Sequence, residues 1–136
     1  MSESYREACW LLKTTAGDTG IDHWKHFLQE NVVSIGWNNL KPDPTAMSQS
    51  ALTVEFEKLY PESRRTAQHA AKTIHTFKDV WHVGDIVIIC RGYPPNSKQP
   101  VHIYGFARIT SDCYFDSTSD WWKIKRHAKI QPIQRD

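Results

Sequence analysis

No stretch of this sequence approaches the ~20 consecutive apolar residues that a membrane-spanning helix needs. The opening residues, Met1 to Glu7, lack the basic-then-apolar order of a secretory leader. The expectation is a cytoplasmic protein without a membrane partner. Cysteine is scarce: Cys9, Cys90 and Cys113 are odd in number and show no CxxC spacing. All three fall in strand-like text and read as reduced core residues. Signatures of catalysis are missing too. There is no GxSxG elbow and no glycine-rich loop ending in GK[ST]. Pro42-Asp43 followed by Glu55-Phe56-Glu57-Lys58 comes near a nuclease pattern, but Phe56 stands where an acid is required and the text is helical. His23 and His26 are three apart on a helix with no third ligand at useful spacing, whereas zinc takes three or four. Ser34 and Cys90 lie inside strands with no base beside them in sequence. These absences read as a non-catalytic protein with no cofactor and no metal. No internal repeat or low-complexity segment is present.

What is present suits one domain over residues 1–136, with 40% apolar and 24% charged residues. Six tryptophans are many for this length, and surplus indole suggests ring stacking on a ligand as well as core filling. The net charge is only +2 but uneven. After Asp120 come Lys123, Lys125, Arg126, His127, Lys129 and Arg135 against Asp136 alone. That density is compatible with phosphate contact or with a solvated strand face.

In chain order, residues 8–13 read as a buried strand, followed by a small-residue loop from Thr14 to Gly20. Ile21 to Asn31 reads as a helix with Asp22 as N-cap and Trp24, Phe27 and Leu28 on one face. Val32-Val33-Ser34-Ile35-Gly36-Trp37 reads as a buried strand whose final ring emerges at the sheet rim, before the polar loop that begins with Asn38. Helices are expected over Thr45–Tyr60, ended by Pro61, and over Ser63–Lys78, where Ala67, Ala70, Ala71, Ile74 and Phe77 form the apolar face. Val83-Gly84-Asp85 reads as a turn into the buried strand Ile86–Cys90. Val101–Ile109 is a strand that Gly105 lets bend or bulge, and Trp121–Ile130 is the last. Alternation places Lys123, Lys125, His127 and Lys129 on one face of it and the mainly apolar Trp122, Ile124, Arg126, Ala128 and Ile130 on the other. Trp122 therefore reads as structural and Trp121 as the pocket candidate. The class is α+β, with five strands in a small curved sheet or barrel and helices packed on it.

The order of these pieces resembles a known superfamily. A strand with Trp10 is followed by a helix with Trp24-x-x-Phe27, then Val-Val-Ser-Ile-Gly-Trp. Later come Gly84-Asp85-Ile-Val-Ile, Ile103-Tyr-Gly-Phe-Ala-Arg-Ile, Tyr114-Phe115-Asp116 and a basic final strand. Over residues 8 to about 131 this is similar to the PUA-like superfamily, to its EVE and YTH-type modified-base readers, and within them to the EVE-like N-terminal domains of McrB-type modification-dependent restriction enzymes. The resemblance implies a curved barrel of five to six strands flanked by helices. It implies a domain that flips a modified base, in DNA, into an aromatic cage without chemistry, serving restriction or phage defence beside a nuclease or ATPase effector. It points to Trp37 as one cage wall and to Tyr114, Phe115, Trp121 or Trp122 as the second. Lys13, Thr14, Asp18 and Asn38 are the expected polar contacts. Lys123, Lys125, Arg126 and Lys129, with Lys13, Arg91 and Lys98, are the expected phosphate contacts. Relatives often end in a His-x-Arg-x-Val-x-Trp-like strand, whereas this chain reads Trp122-Lys-Ile-Lys-Arg-His-Ala-Lys-Ile. An RNA-binding module of the same architecture and a small-molecule or nucleotide-processing enzyme built on the same pocket, with Asp18 or Asp116 acting, are the alternative readings.

Overall fold

A computed structural model describes residues 8–15, 21–92 and 101–133. The architecture is α+β, as expected. Its elements in order are β1 (Cys9–Lys13), α1 (Trp24–Glu30), β2 (Val32–Ile35), α2 (Gln49–Leu59), α3 (Arg64–His75), a π-helical turn (Thr76–Val80), β3 (Ile86–Arg91), β4 (His102–Ile109), β5 (Tyr114–Phe115) and β6 (Ile124–Pro132). The strands hydrogen-bond in the order β1-β3-β4-β6-β2, with the short β5 paired to β6. β5 is a sixth strand among the described residues, formed between the stretches read as strands at 101–109 and 121–130.

The chain divides into two compact units, and the division falls inside β2 and β6. The first unit holds the described residues up to Val33, those within His82–Ser111, and those from Arg126 onward. In it β1 runs parallel to β3, while β3–β4 and β4–β6 are antiparallel. Val87, Ile89, Ala107 and Ile109 are buried, as their alternation along β3 and β4 requires, and Phe27 of α1 is buried too. The helix is shorter than the sequence suggested. His23 is its N-cap, but Asp22 Oδ1 accepts the Trp24 amide at 3.0 Å, and Asn31 ends it in the left-handed region at φ 54°.

Two devices fix the registers. The β3–β4 ladder steps from Ile89↔Gly105 to Cys90↔Ile103, which leaves Tyr104 as a bulged residue. Gly105 is required there: a Cβ would lie 2.6 Å from the Gln131 carbonyl oxygen of β6. The second device is Asp85, fully buried at the start of β3. Its carboxylate accepts the Ala8 amide at 3.3 Å, the Trp10 indole N–H at 2.8 Å and the His82 amide at 2.8 Å. Trp10 is thus half-buried and hydrogen-bonded rather than simply packed.

The second unit comprises Ser34–Trp81 and Asp112–Lys125. Ser48 and Ser63 cap α2 and α3 by accepting the amides of Ala51 and Thr66. Leu52 and Phe56 of α2 and Ala67, Ala70, Ala71 and Ile74 of α3 are buried, and small alanines let packed helices approach closely. The π-helical turn buries Phe77 against Trp81, with ring centroids 4.9 Å apart. Cys9 is exposed and Cys113 half-buried, so of the three cysteines expected in the core only Cys90 lies there.

Replacing Asp85 by Ala strands three N–H donors at once, and a loss of about 3 kcal/mol or more is expected in urea unfolding. Asp85→Asn, which keeps one acceptor oxygen, is expected to lose less.

Candidate functional site

β2 ends at Ile35, and Gly36 passes against the edge of the Trp122 indole, 3.4 Å from where a Cβ would stand to Nε1. Trp122 is buried, as read from the alternation. Trp37 then takes φ 78°, the left-handed region. For a bulky side chain this costs roughly 1–2 kcal/mol. Its carbonyl accepts the Leu40 amide at 3.0 Å, closing a turn over Asn38 and Asn39. The carboxamide of Asn38 donates to the Trp121 carbonyl at 2.6 Å, and that of Asn39 to the Tyr60 hydroxyl at 3.1 Å. The turn is therefore tied down on both sides.

The Trp37 ring is half-buried and meets Phe56 edge-on, centroids 5.9 Å apart. It borders a cleft of about 190 Å³, with Asn38, Leu40 and Pro44 on its own side and Phe115, Lys123 and Ile124 opposite. None of that space admits the centre of a water molecule. The cleft thus brings together Trp37, Asn38, Phe115 and Lys123 from the expected site, but it is closed and holds no room for a flat ring between two others.

Other expected residues have different work. Trp121 is 5% exposed, and the Lys125 ammonium lies 4.5 Å from its ring centroid. Lys125 itself is 1% exposed and pairs with Asp116 at 3.0 Å. The alternation that put it on a phosphate-facing side fails at this position, because Asp116 and the Trp121 ring supply a buried cation with partners. Arg126 is 2% exposed and donates to the Ser111 carbonyl at 3.1 Å, so it too is withdrawn from any backbone contact. Tyr114 is half-buried opposite Lys125.

Lys13, Arg91 and Lys129 lie in the first unit and are exposed. Thr14, expected to touch a base edge, is fully buried. Its amide donates to the Cys90 carbonyl at 2.9 Å, and its own carbonyl accepts the His23 amide at 3.0 Å. Asp18 and Lys98 lie outside the described residues.

A second aromatic group in the first unit was not foreseen. Trp24 and Tyr104 stack with centroids 5.0 Å apart and planes 9° off parallel, and His102 stands edge-on to Tyr104 at 4.9 Å. The bulge at Tyr104 aims this ring, and its hydroxyl donates to Asp22. Burial alone would raise the Asp22 carboxyl. The Tyr104 hydroxyl, the Trp24 amide, the Thr14 hydroxyl and the Arg91 charge outweigh it and hold the group below its ordinary value. No group of three or more His, Cys, Asp or Glu able to hold a metal occurs among the described residues.

Fold and site together define an α+β protein with a mixed sheet and an aromatic cleft at the end of its buried β2. The chain belongs to the family described as a domain of unknown function (DUF8426), whose model matches residues 10–133. No curated protein matches the sequence.

Two outcomes follow from this geometry. Trp37→Gly and Trp37→Ala both lose the contact with Phe56, but only glycine is at ease at φ 78°. The glycine variant should be more stable by about 1 kcal/mol in paired urea melts. The Lys125 ammonium, more than any other cause, holds the Asp116 carboxyl below its ordinary value of 3.8, with the Thr118 hydroxyl second. A carboxyl lowered on folding stabilises above its unfolded value, and that stability is lost as pH falls through the folded one. Unfolding monitored by tryptophan fluorescence should therefore weaken below pH ~4. Asp116→Asn should flatten that dependence and cost about 2–4 kcal/mol at neutral pH, because it leaves Lys125 without its anion.

Proposed function

We propose that this chain is a non-catalytic nucleic-acid-binding domain that reads a modified base in DNA at the Trp37 cleft, on a PUA-like fold of the EVE type. The observation that carries the reading is the backbone of Trp37. A left-handed tryptophan persists only where its surroundings over-determine it, and such residues cluster at ligand clamps. This one presents part of an indole at a cleft mouth, with a carboxamide on its own side and an ammonium opposite. Those groups match the needs of an extruded base: a face to stack on, a hydrogen-bonding edge and a nearby countercharge for phosphate. Stacking returns about 1–3 kcal/mol per base, against a few kcal/mol for extrusion.

Because the cleft is closed, occupancy requires the loop that carries Asn38 to Pro44 to shift. The second ring is Phe115 rather than Trp121, whose indole is covered by Lys125. A nuclease or ATPase acting on the same DNA is the expected effector. The enzymatic alternative loses support from Asp116, which is committed to Lys125 and Thr118.

Binding of plain and modified oligonucleotides at stated salt tests the proposal, with matched RNA as a third arm. Wild type should prefer one modified DNA. Trp37→Ala should lose that preference by ten-fold or more, with binding to plain DNA and the fold retained. Equal affinity of wild type for modified and plain DNA would refute the reading, and a preference confined to RNA would move it to the RNA-binding alternative.

A further inference from the structure

The second unit carries another concave surface, unrelated to the Trp37 cleft and absent from the expectations above. An open groove of about 540 Å³ runs along α2 and α3, lined by Gln49, Ser50 and Thr53 of the first helix and Arg65, Gln68, His69 and Lys72 of the second. The α3 residues are spaced i, i+3, i+4 and i+7, which places them in one row. Ala67, Ala70, Ala71 and Ile74 turn the opposite face into the core. Every lining side chain is a hydrogen-bond donor, or a histidine that can become one, and none is a carboxylate. The neighbouring cation on the same stretch is neutralised: Lys78 pairs with Asp79 at 2.6 Å, and that carboxylate also meets His75 Nδ1 at 3.0 Å. Arg65 and Lys72 form no ion pair with any residue described here. An unneutralised row in a donor-lined groove is complementary to a linear polyanion.

We propose that the α2–α3 groove is a track for the sugar–phosphate backbone of the nucleic acid whose base is read at Trp37. The inference rests on the function proposed above and supplies the strand contacts that buried Lys125 and Arg126 do not. Arg65 and Lys72 are seven residues apart, ~10 Å along the helix at 1.5 Å per residue. That equals about three base-pair steps measured along the axis of a duplex, at 3.4 Å of axis per step. Arg65 grips a phosphate through its guanidinium fork and Lys72 acts as a point charge. Gln68 and the Ser50 hydroxyl supply neutral donors between them, while the Thr53 hydroxyl donates to the Gln49 carbonyl at 2.9 Å. Contacts of this kind position a strand and carry no sequence information.

The test is the salt dependence of binding to a plain duplex and to the same duplex carrying the preferred modified base. For Arg65→Ala/Lys72→Ala, affinity for both DNAs should fall about ten-fold or more at 0.1 M salt. The slope of log K against log[salt] should become shallower by about 2, one unit per lost phosphate contact. The ratio of modified to plain affinity should stay unchanged, and Arg65→Lys should retain most binding. Lys58→Ala, which removes a cation already paired with Glu55, should leave the slope as it is. Both exposed side chains can be removed without touching the core, and an unchanged melting temperature checks the fold. An unaltered slope in the double variant overturns the proposal, as does equal competition by poly-glutamate, since the groove would then read charge alone. If wild type binds plain and modified DNA equally but with a slope that the double variant reduces, the Trp37 reading fails while the groove stands. Absence of any DNA binding refutes both.

Discussion

The first unit depends on one buried carboxylate. Asp85 collects the amides of Ala8 and His82 and the indole N–H of Trp10. Its own amide donates to the His82 carbonyl and its carbonyl accepts the Ile109 amide. Gly84, at φ 97°, turns the chain so that its amide reaches Ile109 as well. A carboxylate without water is tolerable only when donors replace its hydration. Here the donors come from β1, from the turn before β3 and from a tryptophan ring, so a costly group is converted into a joint between chain segments far apart in sequence. The parallel β1–β3 pair, which has no hairpin to hold it, is anchored at that joint.

The second unit uses the opposite charge in the same way. Lys125 is as buried as an isoleucine, with Asp116 as its anion and the Trp121 ring beneath it. These contacts place β5 against the start of β6 and fix the segment that forms the far side of the Trp37 cleft. The position of Phe115 at the cleft is thus set by an ion pair that does not itself line it. Trp37 itself is held from the other direction, by the turn over Asn38 and Asn39.

Much of this was legible because local rules were obeyed. Ser63, where the sequence reading begins a helix, caps α3, Asn31 ends α1, and Ala67, Ala70, Ala71 and Ile74 declare the buried face of α3. Gly105 announces the irregularity that becomes the bulge at Tyr104. The reading failed where a distant partner overrides a local pattern. Lys125 sits in an alternating basic strand that looks solvated, and Asp116, nine residues earlier, and the Trp121 ring supply the partners of its buried ammonium. The Tyr104–Trp24–Asp22 group joins residues some eighty positions apart and has no sequence signal. The row Arg65, Gln68, His69, Lys72 did have one, since its spacing is helical.

The division of β2 and β6 between the two units has a consequence for how the chain comes to be folded. Each unit is assembled from separated stretches, and both need residues of β6. Neither can be completed on a growing chain until that strand has left the ribosome. The β1–β3 and β2–β6 pairings join distant parts of the sequence, which makes folding slow relative to a helical protein of this size. For the same reason, no single cut can release either unit as one continuous fragment.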